Sequence, residues 1–261
     1  MKRTVSFVVF LCCFMSVALQ GIRAEFYGSL PTGLLVLEKK YPYYVFVPPD
    51  YSREKSWPLL ILLGDRGDEP KELIGPWTDW AKSRGLLVTA VPNLVPEREN
   101  PKAADDWLLQ IKQDLTQQYR IDRRRVLLVG FGSGAHYSAY LAMNYPGEFS
   151  AAVLIQGSWD GPFANLMRPV SDKEEQVSFF LAADPQAENS TAVEKQVVNL
   201  EEKGYRIVRA PLESDKEFSG LRDQMMEWFD QESQLQAAAR QTPGKGWKNR
   251  IEKIIEDFFE I

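Results

Sequence analysis

The sequence predicts an α/β domain built on a mostly parallel sheet with helices on both faces. Three observations carry that prediction. Hydrophobic runs alternate with helical patterns from residue 30 onward. Most of the runs are continuous stretches of Val, Leu, Ile or Phe, as strands buried on both faces should be. The chain has 261 residues, 44% hydrophobic and 26% charged, which suffices for one large domain with a substantial core.

Taken in order, the strand candidates are Leu34 to Leu37, Tyr43 to Val47, Leu59 to Leu63, Leu86 to Val91, Val126 to Val129, Ala151 to Ile155, Val177 to Leu181 and Tyr205 to Ala210. The first two alternate in polarity and are expected to pair as an antiparallel edge. Helix candidates lie between the runs, at Glu72 to Ser83, Ala104 to Gln118, Gly134 to Asn144, Thr191 to Lys203 and Glu217 to Gln231. The domain is therefore placed at residues 25–232, with a linker and terminal helix at 233–261. A breaker cluster, Gln241-Thr242-Pro243-Gly244-Lys245-Gly246, precedes the last segment, Trp247 to Ile261. In that segment Trp247, Ile251, Ile254, Ile255, Phe258 and Phe259 recur at helical spacing among charges of both signs. Docking of its apolar face on the parent domain is expected, because the polar face is not predominantly basic; a protein partner or membrane surface is the alternative.

Residues 1–24 read as an export signal. Lys2 and Arg3 precede an uncharged, mainly apolar run from Val5 to Leu19, too short to span a bilayer comfortably and suited to a signal core. Ser16-Val17-Ala18 and Ala24 both offer small residues for cleavage. The expected product is secreted or periplasmic, with a membrane anchor as the lesser alternative. Of the 31 basic residues three lie in this segment, which leaves 28 against 36 acidic residues, a net charge of −8. Such a balance offers no field for a nucleic-acid backbone. Both cysteines, Cys12 and Cys13, fall inside the signal, and His136 is the single histidine, so neither disulfides nor a Cys/His metal site is expected and no cofactor is called for.

The chemistry should sit where a buried strand ends in small residues, at Arg125-Val126-Leu127-Leu128-Val129-Gly130-Phe131-Gly132-Ser133-Gly134-Ala135. A G-x-S-x-G elbow forces its third residue into a strained turn at the strand end, and its glycines let strand and helix approach closely. Here Gly130 and Gly134 frame the motif, and the nucleophile position is Gly132. Shifting the frame to make Ser133 the nucleophile puts Phe131 and Ala135 where glycines are wanted. Ser133 is instead expected in the first turn of the helix, satisfying backbone N–H groups or holding a polar ligand, and it stays the alternative nucleophile.

With these motifs the sequence resembles the α/β-hydrolase superfamily, in particular secreted carboxylesterases related to polyhydroxybutyrate depolymerases and feruloyl esterases, over residues 33–231. Tyr43-Tyr44-Val45-Phe46-Val47-Pro48-Pro49-Asp50-Tyr51 is similar to the family's opening strand and proline step, and Trp57-Pro58-Leu59-Leu60-Ile61-Leu62-Leu63-Gly64 to the strand that ends His-Gly. Ile121-Asp122-Arg123-Arg124-Arg125-Val126 resembles the entry to the elbow strand, and Tyr145-Pro146-Gly147-Glu148-Phe149-Ser150-Ala151-Ala152-Val153 its continuation. The resemblance implies an α/β-hydrolase fold and a Ser/His/acid triad. Carried over by position, the nucleophile falls on Gly132, the acid on Asp184 and the base on Lys216. In the oxyanion region, Gly64, Asp65 and Arg66, the family's His is replaced by Leu63 and a carboxylate is brought in by Asp65. Trp159, in the loop beside the elbow, either lines the crevice or packs.

Losing either Ser or His costs a serine hydrolase on the order of 10^6 in turnover, because the two act as one unit. A Lys216 base would have to be neutral near neutral pH, which burial favours and the Asp184 charge opposes; a structural Lys216–Asp184 ion pair is expected instead. The expectation is an exported hydrolase-like protein that has lost its serine chemistry and binds a small-molecule, ester or carbohydrate ligand in an open crevice. The alternatives are an active carboxylesterase using Ser133 or a rearranged site, and an interaction module acting through the terminal helix. Asn189-Ser190-Thr191 is an acceptor sequence for glycosylation and also a helix N-terminus, and is taken as the cap.

Overall fold

A computed structural model describes residues 32–37, 42–92, 101–172, 176–212 and 218–241. The segment expected to be a signal (1–24), Lys216 and the terminal segment (247–261) lie outside the described residues. The strands are β1 (Gly33–Leu37), β2 (Tyr43–Val47), β3 (Trp57–Leu63), β4 (Leu87–Val91), β5 (Ile121–Phe131), β6 (Ala151–Ile155), β7 (Ser178–Ala183) and β8 (Ile207–Pro211). The helices are α1 (Pro70–Ile74), α2 (Thr78–Arg84), α3 (Lys102–Gln118), α4 (Ser133–Asn144), α5 (Ser190–Glu202) and α6 (Phe218–Gln241).

The eight strands form one sheet in the order β1-β2-β4-β3-β5-β6-β7-β8. As expected, β1 and β2 pair antiparallel, from Gly33 opposite Val47 to Leu37 opposite Tyr43. β2 joins β4 antiparallel, and every later pairing is parallel. The continuous apolar runs occupy the centre: Leu59, Leu60 and Leu62 of β3 and Val126 to Val129 of β5 are all fully buried.

Successive residues of a strand serve opposite faces. Leu60, Leu62, Leu127 and Val129 join Ile74, Trp77, Ala81, Leu221, Met225 and Phe229, so α1, α2 and α6 cover one face. Gly130, on the other pleat of β5, lies against Ala135 and Ser138 of α4. A fully buried carboxylate, Asp105 of α3, ties that second layer together. It accepts hydrogen bonds from the hydroxyls of Tyr137 (2.6 Å), Tyr140 (2.8 Å) and Tyr145 (2.8 Å).

The differences from the sequence reading are largest at three elements. The helix expected over 72–83 is two helices joined by a 3-10 turn at Gly75–Trp77, because Pro76 has no N–H to continue the ladder. β5 starts five residues earlier than Val126, at Ile121, where it pairs with Trp57 before a register shift. The last helix runs on to Gln241, since nothing between Gln231 and Gln241 breaks it.

Candidate functional site

The junction of β5 and α4 is built by close approach. A side chain at Gly134 would strike the carbonyl oxygens of Leu63 and Gly64, and one at Gly130 would lie 2.5 Å from the Ser138 hydroxyl. Only glycines allow the helix to start so near the strands. Between them Gly132 adopts φ +51°, ψ −116°, a conformation that would strain any residue with a Cβ, and its N–H is held by the Ile155 carbonyl at 2.9 Å. A positive φ at this point is what a nucleophile elbow requires, and Gly132 has no side chain there.

The space a side chain on Gly132 would take is filled. A Cβ on Gly132 would meet the Asp65 carboxyl carbon at 2.5 Å and its oxygens at 2.6 and 2.8 Å. Asp65, two residues beyond β3, accepts hydrogen bonds from the backbone N–H groups of Ser133 (2.9 Å) and Arg66 (2.7 Å) on one oxygen. The Ser133 N–H bond is the largest cause holding the Asp65 carboxyl below the usual range, aided by the Ser133 hydroxyl. Asp65 thus caps α4 from a neighbouring strand, in the positive field of the helix N-terminus. The sequence reading had Ser133 as the group satisfying backbone N–H groups; its own N–H and hydroxyl are instead spent on Asp65. The loop is fixed by Asp68, whose carboxylate accepts from the Asp65 N–H at 2.8 Å, and the Arg66 side chain is exposed.

These contacts alter what the elbow can do. The N–H of the residue after the nucleophile is one of the two donors an acyl-transfer site aims at its oxyanion. Here that donor is already bonded to a carboxylate. An incoming ester carbonyl would meet negative charge where it needs donors.

The fold has counterparts of known structure. A thermostable esterase aligns with a TM-score of 0.57 and 20% identity over 76% of this chain, which spans 62% of that chain. The S-formylglutathione hydrolase FrmB of Staphylococcus aureus aligns at 0.59 and 11% identity, covering 79% of this chain and all of that one. A ferulic acid esterase aligns at 0.53 and 13% identity, covering 69% and 89%. The chain has the α/β-hydrolase fold. It matches no protein-family model and no curated sequence.

On this hydrolase fold the remaining candidates are separated. Asp184 follows β7 directly, is exposed, and accepts the Gln186 N–H at 2.8 Å. Trp159 takes the packing role of the two weighed: it is 4% exposed and meets Phe179 edge-on at 5.1 Å. Asn189 stands at the N-cap of α5, yet its side chain makes no cap bond and its amide donates to Asp160 at 3.3 Å.

Asp184 lines a cavity of about 1010 Å³ at the C-terminal ends of β6, β7 and β8, against α5. Gly132, Ser133, Asp65 and Trp159 are not among its lining residues. His136 is, and sequence reasoning assigned it no role beyond the helix. No local signal marked it: the imidazole is set by the loop at Gly161, where any side chain would strike it. Gln156, also in the lining, holds φ +55°, the single non-glycine in the left-handed region among the described residues. Among the described residues no cluster of metal-binding side chains occurs, and no helix is long and apolar enough to cross a membrane.

Proposed function

We propose that this chain is exported and uses the α/β-hydrolase fold for binding, without serine-hydrolase activity. The observation that carries the reading is the pairing of Gly132 with Asp65. The elbow backbone is kept, the nucleophile is absent, and a carboxylate fills both its space and the first oxyanion donor. The base position holds Lys216 and no imidazole, in keeping with this, and an ion pair of Lys216 with the exposed Asp184, screened by solvent, belongs to the proposal. Stability measurements on Lys216→Ala, Asp184→Ala and the double variant test that pairing; strictly additive losses would remove it.

The reading itself is tested on residues 25–261 with a panel of short-chain, feruloyl and polyester substrates and a serine-reactive phosphonate. No hydrolysis above background and no labelling are expected. Gly132→Ser alone stays inactive, because Asp65 occupies the volume its hydroxyl needs. Labelling of the parent, with activity abolished by Ser133→Ala, would establish an enzyme with a shifted elbow and overturn the proposal.

A further inference from the structure

The cavity beside the elbow has its own polar anchor. The imidazole of His136 is 21% exposed, and Gly161 lies against its Cβ, Cγ and Nδ1. Nδ1 is 2.7 Å from the Ser158 carbonyl oxygen and 3.9 Å from the Asp160 carboxylate, while the Ser158 N–H approaches it less closely, at 3.2 Å. The Ser158 carbonyl can only accept, so the shorter of these contacts assigns the proton to Nδ1 and leaves Nε2 as the ring's acceptor. Asp160 is held for this task by the Ser158 hydroxyl and the Asn189 amide. With the Nδ1 side covered, the edge carrying Nε2 is the one left to the cavity that His136 lines.

The walls decide what an acceptor there can hold. Leu181, Val193, Val198 and Ala210 make them aliphatic, and no Phe, Tyr or Trp is among the lining residues. Arg209 adds no free charge. Glu194 and Glu201 hold its guanidinium at 3.1 and 2.8 Å, and the Glu201 bond is the largest cause keeping it protonated. Lys195 and Asp184 are exposed at the rim and remain in water. The volume is that of sites for drug-sized molecules, and its place outside the carboxyl ends of parallel strands is where α/β sheets bind ligands.

We propose that this cavity binds an uncharged aliphatic molecule carrying a hydroxyl group, with the hydroxyl donating to His136 Nε2 and the chain lying along Leu181, Val193 and Val198. This rests on the reading of the protein as a binding protein, and it names the ligand class and the place. The hydroxyl supplies a donor that none of the hydrogen bonds among the described residues gives Nε2, and the chain covers the apolar wall.

The probes are 1-hexanol and methyl pentyl ether, of equal length, the second lacking a donor. Residues 25–261 are titrated with each and followed through the backbone amide resonances of Leu181, Thr191 and Val193. Saturable shifts with both are expected, the alcohol binding about tenfold more tightly. His136→Leu removes the preference and leaves ether binding in place. Val198→Trp, at a position already 45% exposed, fills the cavity and abolishes both titrations without burdening the core. The proposal is overturned if neither probe saturates, if alcohol and ether bind alike, if His136→Leu keeps the preference, or if Val198→Trp changes nothing. Neither probe is an ester, so failure here is separate from a positive result in the hydrolysis assay.

Discussion

Two carboxylates in this molecule are held by the same helix in opposite ways. Asp105 is fully buried and takes the hydroxyls of Tyr137 and Tyr140 from the flank of α4, with Tyr145 just beyond its end. Asp65 is exposed and takes a backbone N–H from the first turn of the same helix. Three charge-assisted bonds replace the water Asp105 has lost, so each donor bears on stability. Asp65 keeps much of its water, and its consequence is positional. It decides what can stand at the tip of the elbow.

The largest effect should come from breaking the buried cluster. Asp105→Ala leaves three hydroxyls facing an apolar layer and is expected to cost about 3 kcal/mol in urea unfolding, with an unchanged m-value. Tyr145→Phe removes one donor and should cost about 1 kcal/mol. The three phenols are raised in pKa by burial first and by Asp105 next, Tyr145 to about 12, so none should ionise up to pH 10. Ultraviolet titration of wild type against the three Phe variants checks this. A loss below 1 kcal/mol for Asp105→Ala would mean that water reaches the carboxylate, and the contrast with Asp65 would collapse.

The next effect sharpens the other half of the comparison. Gly132→Ser places a side chain at positive φ and against the Asp65 carboxyl, and should cost about 2 kcal/mol. Asp65→Gly alone should cost about 1 kcal/mol, the value of a lost cap. Together they should cost less than their sum, by about 1 kcal/mol, since removing the carboxylate removes the clash and leaves only the backbone strain. Additive losses would show that Asp65 does not fill the nucleophile's space.

How much of this was legible in the sequence depends on range. The central strands declare themselves locally, because a strand covered on both faces must be apolar at every position, as Leu59 to Leu63 and Ala151 to Ile155 are. Gly130, Gly132 and Gly134 place the elbow because close approach demands them within five residues. The Asp65 carboxylate was legible as an unfavourable charge near the oxyanion region, but its bond to Ser133 spans 68 residues and follows only from the order β3-β5 in the sheet. The three tyrosines meet Asp105 across 32 to 40 residues, and no local pattern marks them. His136 reads as one more helix residue until the loop carrying Ser158, Asp160 and Gly161 is folded over it. Chemistry that rests on one turn could be read in advance, and chemistry assembled from loops after different strands could not.

The smallest effect is the pH dependence of the Asp65 cap. Its carboxyl is held below the ordinary value near 3.9 mainly by the Ser133 N–H, so the folded state binds its proton less readily than the unfolded chain does. The cap therefore contributes fully above about pH 4 and is lost as pH falls through the lowered value. Because Asp65 is exposed, solvent screens the interaction and the loss should be small beside that of the carboxylates as a whole. The direct observable is the Ser133 amide proton, which should move upfield when Asp65 protonates and should not move over that range in Asp65→Asn. An amide that titrates at the ordinary carboxylate value would mean that the bond adds nothing in solution, leaving Asp65 as a group that fills space without capping the helix.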